Sequence, residues 1–256
     1  MKISVVTISY NQLDFLKACI DSVAQQDGPY EHIIVDPGST DGSREYIESR
    51  RSHFSHIVFE KDKGAADGLN RGFQRANGDI YYYLNSDDVI QPGSFGDARE
   101  AFDASPNVDV IYGDGDMIDE RGELIRSMKS MPIFSPYLYL IGGGSIVQQS
   151  TFIKAAAFKK AGGFNIENKA CWDGELLADL GMTGARFNYV RKNWGGFRIH
   201  GQSISGGGDP KIQQRWKETR LAMFQKAIGR KPNKGDKAFG FFVRNAFRGI
   251  KLFSVK

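Results

Sequence analysis

The chain has 256 residues, of which 41% are hydrophobic and 25% charged, the proportions of an ordinary soluble globular protein. The net charge of +4 is unevenly placed: residues 226–256 hold nine Lys or Arg against one Asp, a balance of +8, which leaves residues 1–225 at −4. The basic character therefore belongs to a tail, and no apolar run approaches the roughly eighteen residues of a membrane span. Two cysteines, Cys19 and Cys171, give neither a disulfide framework nor a metal-binding spacing, so a reducing cytoplasm is the expected compartment.

In chain order, "ISVVTISY" (3–10) reads as a buried first strand rather than a signal peptide. Asn11 is placed to cap a helix over 12–26, with Leu13, Leu16, Ile20 and Val23 on its apolar face. "HIIVD" (32–36) is a second strand, followed by the turn-rich "PGSTDGS" and a short helix in "SREYIESRR". "HIVFEK" (56–61) reads as a third strand, "GAADGLNRGFQRAN" as a helix and "DIYYYLN" (79–85) as a fourth strand. Strand and helix alternate through the first ninety residues, which predicts a mainly parallel sheet in an α/β fold. Beyond Asp88 the pattern loosens. "VDVIYGDGDMID" suggests one or two strands, "STFIKAAAFKKAGGF" a helical portion ending at Gly162-Gly163, "DGELLADLGM" a short helix, and "GARFNYVRKNWGGFRIH" further strands. The charged, Gly- and Pro-containing stretch 229–237 is the best boundary, and we divide the chain into 1–225 and 226–256.

In an open α/β sheet the ligand crevice lies at the carboxyl ends of the strands. That rule brings Thr7, Ser9, Asn11, Asp36, Asn85, Asp87 and Asp88 toward one crevice. No G-x-G-x-x-G follows the first strand and no P-loop motif occurs, which argues against dinucleotide and P-loop folds. Two adjacent carboxylates at a strand end suit a hard divalent cation, Mg²⁺ or Mn²⁺, bridging diphosphate oxygens; the alternative is a solvated turn.

The blocks "SVVTISYNQLDFLKACIDSVAQQ", "EHIIVDPGSTDGS", "GAADGLNRGFQRANGDIYYYLNSDD" and "QQSTFIKAAAFKKAGGFN" resemble successive signatures of the family 2 glycosyltransferases of bacterial glycan assembly. The likeness runs from Ile3 to about Ser205, and "LNSDD" is its most specific part. It implies a GT-A fold and inverting transfer of a hexosyl or N-acetylhexosaminyl group. The donor would be a nucleoside diphosphate sugar, most simply UDP-linked, and the acceptor a glycan or lipid-linked molecule in polysaccharide or cell-envelope synthesis.

By the same resemblance Thr7 and Ser9 lie beside the nucleotide and Asp36 meets its base or ribose, although Pro37 stands where the family has a second acid. Asp67 takes a similar donor-binding place, or else is a helix-start Asp favoured by the macrodipole. Asp87 and Asp88 match the metal motif, with Asp88 the expected direct ligand and Asn85 in place of the motif's first acid. "CWDGELLADL" matches the base motif, with Asp173 as general base and Glu175 as the runner-up, while Trp172 either stacks on an acceptor sugar or packs. His200, in "FRIHGQSISG", is a further metal ligand, a diphosphate donor, or structural; Lys192, Arg198 and Lys211 are the cationic candidates for the diphosphate.

In the tail, Phe239, Phe242, Val243, Ala246, Phe247, Ile250 and Phe253 recur at three- and four-residue spacing, with Arg244, Arg248 and Lys251 between them. An amphipathic helix over 238–256 would suit the anionic inner face of the plasma membrane, or dock on protein. Two other functions compete with sugar transfer. A catalytically inactive nucleotide-sugar-binding relative would bind donor without turning it over. Nucleic-acid binding through the basic tail is disfavoured by the strand-end acids, so no nucleic-acid partner is expected. A nucleotidyltransferase ranks lower still, because its Gly-rich N-terminal loop with Arg and Lys is missing.

Overall fold

The computed structural model describes residues 1–201 and 210–253, with side chains outside 202–213 and 248–256. Four strands follow the predicted alternation: β1 (Ile3–Ile8), β2 (Tyr30–Val35), β3 (His56–Val58) and β4 (Ile80–Asn85). Between them run α1 (Leu13–Ala24), α2 (Ser43–Ser49) and α3 (Ala65–Phe73). The rest of the chain adds β5 (Val89–Ile90), α4 (Ser94–Ala104), β6 (Val110–Ile118), β7 (Leu124–Met128) and α5 (Pro136–Leu140). It closes with β8 (Thr151–Lys154), α6 (Ala155–Ala161), α7 (Trp172–Met182), β9 (Phe187–Arg198), α8 (Pro210–Ile228) and α9 (Lys234–Phe253).

Eight strands run in the order β3-β2-β1-β4-β8-β6-β9-β5, and β7 pairs with β6. β1 through β4 are mutually parallel, whereas β8 is antiparallel to both β4 and β6. The mixed α/β sheet with flanking helices is the expected fold class, with four of its ladders parallel and four antiparallel.

The three tyrosines of β4 show why its sequence is apolar throughout. Tyr81 and Tyr83 pack with α3, α6 and α7 on one face, while Ile80, Tyr82 and Leu84 pack with α1 and α4 on the other. A strand covered on both faces needs a continuous apolar run. The register pairs Ile8 with Asn85 and Ile8 with Val35, so the carboxyl ends of β1, β2 and β4 finish level.

Several expectations need correction. β3 stops at Val58 rather than at residue 61. The stretch read as several strands before His200 is the single strand β9, with register shifts where it pairs with β6. "STFIK" holds β8, hidden because four extended residues run straight into the alanine-rich α6. α4 was not anticipated, although Phe95, Ala98 and Phe102 mark its buried stripe. The division at 225/226 falls inside α8, and the turn between the last two helices lies at 229–233.

Candidate active site

The loop after β2 is built around Asp36. Its carboxylate accepts the amides of Gly38 (3.0 Å) and Ser39 (2.8 Å), the Ser39 hydroxyl (2.6 Å) and Arg44 Nε (3.1 Å). Pro37 is accommodated because the turn needs the amides of Gly38 and Ser39, not one at position 37. Asn11, in the left-handed region at φ 51°, ties the end of β1 to this loop: its amide donates to Ser39 Oγ and its side-chain oxygen accepts from Thr40 N, both at 2.8 Å. Ser9 Oγ is buried there with no hydrogen-bond partner among the described residues. Thr7 turns inward and shares a 2.9 Å hydrogen bond with His32. Asp67 accepts Lys63 N (2.9 Å) and pairs with Arg71 (3.0 Å). Partial burial raises its pKa, but these donors outweigh that and hold the carboxyl below its usual range.

The end of β4 separates the two adjacent acids. Asp88 is 1% exposed. One of its oxygens accepts Arg198 N at 2.9 Å; the other accepts Gln149 Nε2 at 2.8 Å and Asn85 Nδ2 at 3.4 Å. Val89 pairs with Gly196, so the Asp88–Arg198 bond continues the β5–β9 ladder by one side chain. Gly195 permits this, since a Cβ there would lie 2.5 Å from the Gln149 carbonyl oxygen. Burial first, and the Asp87 charge second, push the Asp88 carboxyl well above the ordinary range.

Asp87 faces outward, with its side chain 17% exposed, and Oδ2 lies 3.1 Å from His200 Nε2. The His200 ring rests on Phe15, with centroids 4.4 Å apart. Asp88, the expected direct ligand, is thus occupied by protein donors, and Asp87 is the acid that faces a second potential ligand.

Of the three cationic candidates, Arg198 is spent on the framework. Its Nε donates to Asp87 O (2.8 Å), and Nη1 donates to the carbonyls of Asp119 (2.9 Å) and Glu120 (3.1 Å). Lys192 pairs with Asp97 of α4 at 3.2 Å. The side chain of Lys211 lies outside the described residues.

A divalent cation fits Asp87, His200 and Asn85 on two observations. Ligands held about 2.0–2.1 Å from one ion stand about 3 Å apart, which is the separation Asp87 Oδ2 and His200 Nε2 already have (3.1 Å). Asn85 Oδ1, two residues before Asp87, is buried with no hydrogen-bond partner among the described residues. Among the described residues no group of three or more His, Cys, Asp or Glu could hold a metal unaided. Mg²⁺ and Mn²⁺ characteristically complete such partial sets with phosphate oxygens and water.

The base candidates also separate. Glu175 is 7% exposed and accepts Asn165 Nδ2 (3.1 Å), Asn168 Nδ2 (2.7 Å) and Lys226 Nζ (3.4 Å). Asp173, in the first turn of α7, is half-buried and, among the described residues, accepts from backbone amides of its own turn, that of Gly174 at 2.8 Å. Burial pushes its carboxyl upward, against the Gly174 amide. Tyr83 of β4 feels the charge of this base candidate, which links Asp173 to the strand whose end carries Asp87. Trp172 packs against Tyr83 and Phe164, with centroids at 5.8 and 5.3 Å.

Sequence reading missed Gln149 and Phe15 as site residues. Gln149 sits in the quoted "QQS" block, yet neither it nor Phe15 carries a spacing signal, because each acts across more than sixty residues of chain.

The glycosyl transferase family 2 model matches residues 4–159. An uncharacterized glycosyltransferase of Mycobacterium tuberculosis is 32% identical over 178 residues, covering 68% of this chain and 67% of that one. Among solved structures, S. aureus TarS 1–349 in complex with UDP-GlcNAc superposes with a TM-score of 0.70 at 18% identity, over 96% of this chain and 71% of that one. The mannosyltransferase PcManGT from Pyrobaculum calidifontis, in complex with GDP-Man and Mn²⁺, gives 0.63 at 17%, over 99% and 76%. The family model spans more than half of the chain and a relative above 30% identity agrees with it, so this chain belongs to glycosyl transferase family 2.

Proposed function

We propose that the chain is an inverting, metal-dependent glycosyltransferase. It moves a hexosyl or N-acetylhexosaminyl group from a UDP-linked donor to a hydroxyl of a glycan or lipid-linked acceptor. The observation that carries this reading is the pairing of Asp87, at the end of β4, with His200, while Trp172, next to Asp173, packs on Tyr83 of the same strand. UDP is preferred on the donor held by the TarS complex; the GDP-Man complex keeps GDP as the nucleotide to test against it.

Asp87, His200 and Asn85 would hold the cation, whose chemistry is to neutralise the charge growing on the departing diphosphate. Asp36 and Asn11 shape the loop that receives the base and ribose, and Ser9 Oγ is left to donate to the nucleotide. Asp173 accepts the acceptor proton as its oxygen attacks the anomeric carbon from the side opposite the leaving diphosphate. A single displacement of that kind inverts the configuration. A base whose pKa is raised toward the working pH takes the proton more readily and still loses it between turnovers.

No helix among the described residues is long and apolar enough to cross a membrane. α9 supports a surface contact instead. Phe241 and Phe242 are 61% and 68% exposed, whereas Asp236, Gly240 and Val243 face the protein. We place this contact at the cytoplasmic face of the membrane.

Calorimetry with UDP, with and without Mn²⁺, tests the site. Wild type should bind UDP more tightly with the metal, and Asp87→Ala should lose that increment. Equal metal dependence in both proteins would remove Asp87 from the cation site.

A further inference from the structure

α5 spans five residues, too few to be stable alone. Ser135 caps its start by accepting Leu138 N at 3.1 Å. Much of what else fixes it comes from the far end of the sequence. Arg220 of α8 donates to the carbonyls of Tyr139 (2.8 Å) and Leu140 (3.2 Å). The Tyr137 hydroxyl donates to Asp236 at 2.7 Å, and Asp236 is itself held by Arg230 and by the Asn233 amide. Gly240 of α9 lies so close that a Cβ there would stand 2.3 Å from Ile141 O, and Val243 reaches the Cβ position of Gly143 at 3.2 Å.

This clamp delivers one side chain to the base. Tyr139 Oη lies 2.7 Å from the position a Cβ on Gly174 would take, one residue past Asp173. The ring is half-buried against Phe134, and among the described residues the hydroxyl makes no hydrogen bond. Burial and the Asp173 charge push its pKa up, so it remains a donor at every working pH.

We propose that Tyr139 is an acceptor-positioning residue beside the base, and that α8 and α9 hold it there by clamping α5. The inference rests on the proposed transfer chemistry. Tyr139 donates a hydrogen bond to the acceptor oxygen while that oxygen gives its own proton to Asp173. The oxygen then bonds to the anomeric carbon, and the diphosphate leaves with the electron pair of the broken bond. The C-terminal helices are thereby part of the acceptor side, joined to it by Arg220, Asp236 and Gly240.

Tyr139→Phe keeps the ring and removes the hydroxyl. UDP release from UDP-N-acetylglucosamine with Mn²⁺, water serving as acceptor, and UDP affinity by calorimetry are the two readouts. The variant should bind UDP within about twofold of wild type and release it about tenfold more slowly, a loss of orientation rather than of donor binding. In an Asp173→Asn background the same change should add less than about twofold, because both residues act on one oxygen. For the clamp, Gly240→Ala should speed hydrogen exchange at 136–143 while 80–90 is unchanged, and should slow UDP release in step. Arg220→Lys, which keeps the charge but loses the two-pronged contact, repeats that test should Gly240→Ala not fold. A Tyr139→Phe protein as active as an active wild type, a full additional loss in the Asp173→Asn background, or unchanged exchange at 136–143 overturns the inference alone. A wild type that releases no UDP overturns the donor reading beneath it.

Discussion

Replacing Asp88 and Asp87 by alanine one at a time should separate a structural acid from a metal-binding one. Asp88→Ala leaves two well-formed buried donors without partners, Arg198 N and Gln149 Nε2, while the 3.4 Å contact from Asn85 is too long to count fully. An orphaned buried donor costs about 1–3 kcal/mol, so the gross loss is about 2–6 kcal/mol. An opposing effect is present. The folded-state pKa of Asp88 is raised by burial and by Asp87, so its ionisation works against the fold at neutral pH, and deleting it relieves that cost. The net loss should therefore fall in the lower half of the range, about 2–4 kcal/mol. Asp87→Ala removes a partly exposed side chain whose one side-chain partner among the described residues is the buried His200, so it should cost about 1–3 kcal/mol, less than Asp88→Ala. Urea unfolding of both variants without metal gives the stabilities, and calorimetry with UDP and Mn²⁺ gives the binding. An Asp88→Ala protein as stable as wild type but unable to bind metal, beside an Asp87→Ala protein that binds it normally, would refute the reasoning and return the ligand role to Asp88.

Four further outcomes follow from the geometry. Asp173→Asn should keep UDP affinity and lose about 10²–10⁴-fold in transfer. Because burial raises the Asp173 pKa, wild-type kcat/KM should fall as pH drops through a value above the ordinary Asp range, and Asp173→Asn should be no less stable than wild type at neutral pH, both checked by pH-rate and unfolding profiles. Glu175→Gln turns an amide toward Asn165 and Asn168, whose side chains now donate, and should destabilise by about 1–3 kcal/mol in thermal unfolding with a smaller loss of turnover than Asp173→Asn. Phe242→Asp leaves the docked face of α9 intact and should abolish salt-sensitive flotation with anionic liposomes; equal flotation with wild type would rule out this side of the helix as the contact.

The sequence by itself determined the parallel half of the sheet, the strand-end positions of the candidate site residues and the family. These rest on local patterns: β-branched runs of strand length, glycine-rich turns, and acids placed where such runs stop. It also brought the Asp87-Asp88 pair and Asp173 into one candidate site. Only the tertiary structure separated their environments. Asp87 and Asp88 stand in the turn between β4 and β5, where Asp88 N donates to Asn85 O at 3.1 Å, and the local sequence does not fix which of the two carboxylates is buried. That choice depended on Gln149 and Arg198, which reach Asp88 from 61 and 110 residues away. The same holds for the base candidates, since Glu175 is held by the side chains of Asn165, Asn168 and Lys226, whereas Asp173 accepts backbone amides of its own turn. The tail divides likewise. Its helical spacing was legible, but the choice of Gly240 and Val243 for the protein and Phe242 for solvent was made by the close approach of α5, a contact between segments about a hundred residues apart that no local pattern encodes.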